Sequence, residues 1–150
     1  MGQENLNKIY GHVKVVDGFA AGAIAAATTL SEFDSGKVIA VNQIGGTDYT
    51  ITLPANPVAG WNVTLVLTAT ASDGNVTIAT NTGQAMPSGI VVSTDGTVSG
   101  VVLTITDPVT NSTIKFVEGV AAAGDKIEIL CTNDASTGGV GYHATGFCAT

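Results

Sequence analysis

Between Ser35 and Ile78 the chain is a succession of short runs of alternating apolar and polar residues, each closed by turn-forming residues. That pattern constrains the fold more than any other feature, because a period of two fits a half-buried strand and not a helix. Tyr49, Ile51 and Leu53 point one way, Thr50 and Thr52 the other. In the run from Trp61 to Ala69, Val63, Leu65 and Leu67 form one face while Val66 lies on the other, as in a strand covered on both sides. Val38 to Val41 and Val76 to Ala79 read as two shorter strands. Pro54-Ala-Asn-Pro57 and Gly60 turn the chain ahead of Trp61, and Asp73-Gly74 predicts a tight hairpin between the third and fourth strands.

The rest of the chain continues in the same way. Ile90 to Ser93, Thr97 to Ile105, Thr113 to Val117, Asp125 to Cys131 and Tyr142 to Cys148 are further strand candidates. Turn residues separate them at Asp95-Gly96 and from Asp107-Pro108 to Asn111-Ser112, with a small-residue link from Gly119 to Gly124. Asn81 to Gly89 and the Gly-rich stretch 132–141 read as loops. Roughly eight to ten strands at such spacings predict one all-β domain, a jelly-roll-like β-sandwich or a β-barrel. No fixed-length repeat recurs, which argues against a solenoid or propeller. Upstream, Met1 to Tyr10 is polar and without period, an extended arm. His12 to Val16 alternates weakly, as a strand that pairs late or with a neighbouring subunit. Phe19 to Leu30 is Ala-rich and reads either as a helix or as an extended segment packed in an interface. The division is therefore an N-terminal arm and interface segment over residues 1–34 and a β domain over residues 35–150.

Composition narrows the function. Charged residues make up only 11% of the chain, against about 25% in soluble domains. Either much of the surface is buried against other subunits, or the chain is a rigid β protein coated with Thr, which is both polar and strand-favouring. The net charge is −7, there is no Arg, and Lys8, Lys14, Lys37, Lys115 and Lys126 are scattered. A phosphate-tracking surface needs clustered cations, so nucleic acid is not an expected partner. The longest apolar run, Phe19 to Ala27, is far short of the roughly 20 residues that span a bilayer, and no membrane association is expected. Ala25-Ala26-Ala27 has the look of a cleavage site, but Glu4 and Asp17 fall where a secretory signal avoids acids.

No catalytic constellation stands out, and the chain does not read as an enzyme. His12, His143, Asp17 and Asp34 supply the residue types of a triad without a motif that carries a mechanism. Asp73, Asp95, Asp107 and Asp134 sit in turn sequences, where such side chains cap backbone groups. No EF-hand loop, phosphate loop or zinc spacing is present, so neither metal nor cofactor is expected. The sequons at Asn62, Asn75 and Asn111 are what a Thr-rich chain yields by composition. Cys131 and Cys148 read either as two small buried apolar groups or as a disulfide between neighbouring strands. Trp61, at a strand start after Gly60, reads as a core anchor.

The runs SGKVIAVN, YTITLPA and AGWNVTLVLTATASDGNVTI together resemble a module found in virion proteins of tailed bacteriophages. The end of the chain is similar as well: Gly124-Asp125-Lys-Ile-Glu-Ile-Leu-Cys131 followed by Tyr142-His-Ala-Thr-Gly-Phe147 resembles the family's closing hairpin. It departs from the family in a longer Gly-rich loop before Tyr142, where a short Asp-Gly turn and a Trp are usual. The resemblance implies a capsid decoration (cement) protein with a β-sandwich domain on the capsid exterior. It also implies the major capsid protein as partner and a homotrimer at local three-fold positions. In that setting the N-terminal segment lies across neighbouring subunits, with Phe19, Ile24 and Leu30 as its anchors. The alternative is a tail- or head-fibre domain that binds host glycan, with Trp61 and Tyr142 as the rings to test.

Overall fold

The structure, a computed structural model, describes residues 23–43, 46–72, 74–81, 84–93, 101–105, 112–132 and 141–148. Ten strands among them form two five-stranded sheets. Sheet I has the spatial order β2 (Lys37–Val41), β4 (Asn62–Leu67), β9 (Lys126–Cys131), β10 (Gly141–Cys148) and β6 (Ala85–Ser93). Sheet II runs β1 (Thr28–Thr29), β3 (Tyr49–Thr52), β5 (Val76–Ala79), β8 (Ser112–Phe116) and β7 (Val101–Ile105). Their inner faces share one hydrophobic cluster, so the chain is a β-sandwich. Sheet I contributes Ile39, Val41, Val63, Leu65, Leu67, Ile127, Ile129 and Tyr142; sheet II contributes Tyr49, Ile51, Val76, Ile78, Ile114 and Phe116. The alternation read from the sequence is the physical reason: along β4 every second residue is buried and its neighbours are not.

The path between the sheets differs from the expected one. The chain crosses from one sheet to the other at each step from β2 to β5, and each return strand lies parallel to the last strand in that sheet. Val41 of β2 thus pairs with Leu67 of β4, and Ile51 of β3 with Ile78 of β5, at nearly the same interval of sequence. β1 joins β3 in parallel, and Ile24 forms a single parallel bridge to Val41. Residues 24–79 therefore wind as a flattened parallel coil, the geometry of a short solenoid. The Asp73-Gly74 hairpin expected between β4 and β5 does not exist, because those strands lie in different sheets. The later strands close the sandwich: β9 pairs antiparallel with both β4 and β10, and β8 with both β5 and β7. Four parallel pairings separate this topology from an antiparallel jelly roll.

The start of the β domain also moves. Leu30, expected in the arm, is 4% exposed and belongs to the core cluster, and its amide donates to Thr52 O at 2.8 Å. Ile24 packs on the same cluster, donating to Ala40 O and accepting from Asn42 N. The Phe19 to Leu30 stretch is thus not helical over its described part. Between β1 and β2 a single 3-10 turn, η1 (Glu32–Asp34), replaces the expected polar link. The Asp34 carboxylate accepts from the amide and hydroxyl of Ser31 and from Lys37 Nζ. Ser31-x-x-Asp34 has capping-box spacing, a signal the reading of this stretch as a polar link passed over.

Candidate functional site

Several residues singled out in the sequence turn out to be structural. Trp61 is 1% exposed; its ring meets Tyr142 edge-on at 6.2 Å between centroids and 81° between planes, a favoured aromatic geometry. The indole Nε1 donates to Ser31 O, and the Tyr142 hydroxyl donates to Pro54 O at 2.9 Å. Burial pushes the Tyr142 phenol up, reinforced by the nearby Cys131. Neither ring is available to stack on a sugar. Gln84, also buried, donates to Pro54 O and Ala55 O, so two carbonyls of the connection from β3 to β4 are satisfied by one side chain.

The two cysteines do not meet. Cys131 is buried opposite Tyr142, whereas Cys148 lies one residue beyond Phe147, itself opposite Lys126 at the far end of the same ladder. At about 3.3 Å per residue the six steps from Tyr142 to Cys148 put them roughly 20 Å apart, beyond the roughly 7 Å limit for a disulfide. The intrachain bridge left open by the sequence is therefore excluded by register. The triad residue types do not assemble either. Asp34 precedes β2 and His143 lies on β10, with β4 and β9 between them. His12, Asp17, Phe19, Asp73, Asp95, Asp107 and Asp134 lie outside the described residues. Among the described residues no group of three His, Cys, Asp or Glu side chains is placed to hold a metal ion.

What remains is the outer face of sheet I. Across it, Asn62, Leu130 and His143 form one row and Thr64, Glu128 and Thr145 the next, as the registers dictate. These residues line an open depression of about 240 Å³, below the roughly 300–1,000 Å³ of small-molecule pockets. Lys126 Nζ sits 2.7 Å from Glu128 and 5.8 Å from the centroid of the Phe147 ring, which places one cation beside one acid at the far end of the face.

The large apolar side chains that the described residues leave in solvent gather at the other end. Phe33 is 81% exposed, Val58 65%, Val38 57% and Leu130 42%. Phe33 belongs to η1, which is held against sheet I by the bonds from Trp61 to Ser31 O and from Asn62 N to Ser35 Oγ. Val58 lies in the turn that closes on Trp61, where Gly60, at a φ of 89°, donates to Cys131 O. Leu130 is opposite Asn62, and Val38 is opposite Thr64 one row away. Folding therefore brings four exposed apolar residues to the end of sheet I where β2 and β4 begin and β9 finishes. Acidic groups rim it. Partial burial opposes ionisation of Asp34, but the Lys37 ammonium and the Ser31 donors outweigh it and hold the carboxyl below its usual range. Sequence reading missed this corner; its one readable signal was Phe33, an aromatic between two acids in a polar link.

No family model, curated protein or solved structure matches the chain.

Proposed function

We propose that the chain is a structural virion protein that decorates a bacteriophage capsid and bridges neighbouring major capsid protein subunits, docking through the apolar end of sheet I. The observation that carries this reading is the convergence of Phe33, Val38, Val58 and Leu130 at one corner of a rigid sandwich. Isolated exposed apolar residues need no explanation, whereas a group rimmed by polar residues marks an interaction surface. The resemblance of Ser35–Ile78 and of the closing strands to phage virion modules supplies the class of partner. Many equivalent sites on one lattice make modest individual contacts sufficient, because attachment gains from multivalency, and a homotrimer would add to it.

The docking surface also replaces the one first expected. Leu30 is committed to the chain's own core and Ile24 to its sheet edge, so neither is free to anchor a neighbouring subunit. The glycan alternative loses the two rings assigned to it, since both are buried.

The test is particle attachment. Phe33→Asp and Leu130→Asp should each reduce the copies of this chain recovered on purified particles at least tenfold. Both positions are exposed, so the melting temperature should stay within a few degrees. Retention of both variants at the wild-type ratio to the major capsid protein would remove this corner as the docking surface. Absence of the unaltered chain from particles would end the virion reading.

A further inference from the structure

Phe33 is the most exposed large apolar side chain among the described residues, and the chain holds it in a fixed place. It is the middle residue of η1, and both flanks of that turn are pinned. On the N-terminal side the Asp34 carboxylate accepts from the amide and hydroxyl of Ser31 at 2.8 and 2.9 Å, and Ser31 O accepts from the indole of buried Trp61 at 3.2 Å. On the C-terminal side Ser35 N donates to Glu32 O at 3.3 Å and Gly36 N to Asn62 O at 2.7 Å. Lys37 Nζ, 2.7 Å from Asp34, ties the turn to the start of β2. A ring carried on such a turn gives up little backbone freedom at the moment of contact, as a preorganised interface anchor requires. The charges around it are uneven. Asp34 is matched by Lys37, and Glu128 by Lys126. Glu32, exposed and next to Phe33, has no cation paired with it among the described residues.

We propose that Phe33 is a plug: its ring enters an apolar hollow on the major capsid protein, and a Lys or Arg on the lip of that hollow pairs with Glu32. The inference rests on the capsid reading for the identity of the partner and adds to it the shape and charge of the partner's surface. An unmatched acid beside an exposed ring selects among occupants. An anionic lipid surface or a nucleic acid repels Glu32. A second copy of this chain brings the same net charge of −7 to the contact. A protein surface with a hollow for the ring and a cation at its lip satisfies both groups, because complementary charge at the rim selects the partner while the buried ring supplies the adhesion. Val38, Val58 and Leu130 complete the corner and exclude water around the plug.

Copies of the chain per purified particle, counted against the major capsid protein after washing at low and at high salt, test it. Glu32→Lys should lower the count about tenfold at low salt, by replacing an attraction with a repulsion. Glu32→Gln should lower it less and should weaken the salt dependence shown by the unaltered chain. Glu118→Lys makes the same change in net charge at the exposed turn after β8 and should keep the unaltered count. Phe33→Leu keeps an apolar side chain but not the ring, and should lower the count about fivefold if the hollow is shaped to the ring. Each variant changes an exposed position, and melting followed by Trp61 emission should confirm that it is folded. Unaltered counts for Glu32→Lys, or an equal fall for Glu118→Lys, would overturn the paired cation; an unaltered count for Phe33→Leu would overturn the plug. Absence of the unaltered chain from particles is a separate result, which would overturn the capsid reading and this inference with it.

Discussion

Tyr49 shows how one side chain ties the sandwich together. It stands on β3 in sheet II, yet its hydroxyl reaches Asn42 O at 2.8 Å and Ile24 O at 3.0 Å, both at the edge of sheet I. Burial pushes its phenol up to about 12. The neutral, donating form is thus the one the fold holds. Its contribution is complete below the ordinary tyrosine value of about 10 and is lost as pH rises from there toward the folded value. Tyr49→Phe should cost about 1 kcal/mol at neutral pH, the worth of a part-buried hydrogen bond, and should flatten part of the decline in stability above pH ~10 in urea melts followed by Trp61 emission. A decline of unchanged steepness would assign the alkaline sensitivity elsewhere, Tyr142 being the next candidate. The alternation that turns Tyr49 inward was legible in the sequence. Its hydrogen-bond acceptors were not, because they come from a segment whose place at the sheet edge is set by tertiary pairing.

At the level of elements, the strands themselves were legible and their neighbours were not. The sequence reading of Tyr49 to Leu53 and of Val76 to Ala79 agrees with β3 and β5 to within a residue, since alternation is a local signal. Asp73-Gly74 carries a turn signal, but a turn signal does not say which sheet receives the next strand, and β5 joins the sheet that does not hold β4. The faint echo of Tyr49-Thr-Ile-Thr in Val76-Thr-Ile-Ala was the readable trace of the coil, too short to stand out as a repeat. Segment 24–30 was misassigned for a related reason: its Ala and Thr residues carry no strong period, while its position is fixed by Leu30 and by bonds to β2 and β3. Leu30→Ala should therefore destabilise the domain by about 2–4 kcal/mol, as for other buried leucines, measured by chemical denaturation. A change below about 0.5 kcal/mol, the range of surface substitutions, would return Leu30 to the arm.

For the whole molecule, the order of strands sets both redox behaviour and folding. Cys131 on β9 and Cys148 on β10 sit at opposite ends of the ladder those two strands form, so a reducing agent should leave the melting temperature of the monomer unchanged; a drop on reduction would mean that the register of β9 on β10 is wrong. The parallel coil rests on contacts distant in sequence, which places such a fold among the slower folders. It also has two unfinished sides. β4 and β5 gain their second partners from β9 and β8, which lie far downstream. During synthesis a ribosome releases the coil of residues 24–79 well before residues 112–131 emerge. Until then the nascent coil carries two bare strand borders flanked by its most apolar residues, Leu65, Leu67 and Ile78. The newborn chain is most exposed to sticking to its neighbours in that interval, and the arrival of β8 beside β5 and of β9 beside β4 ends it.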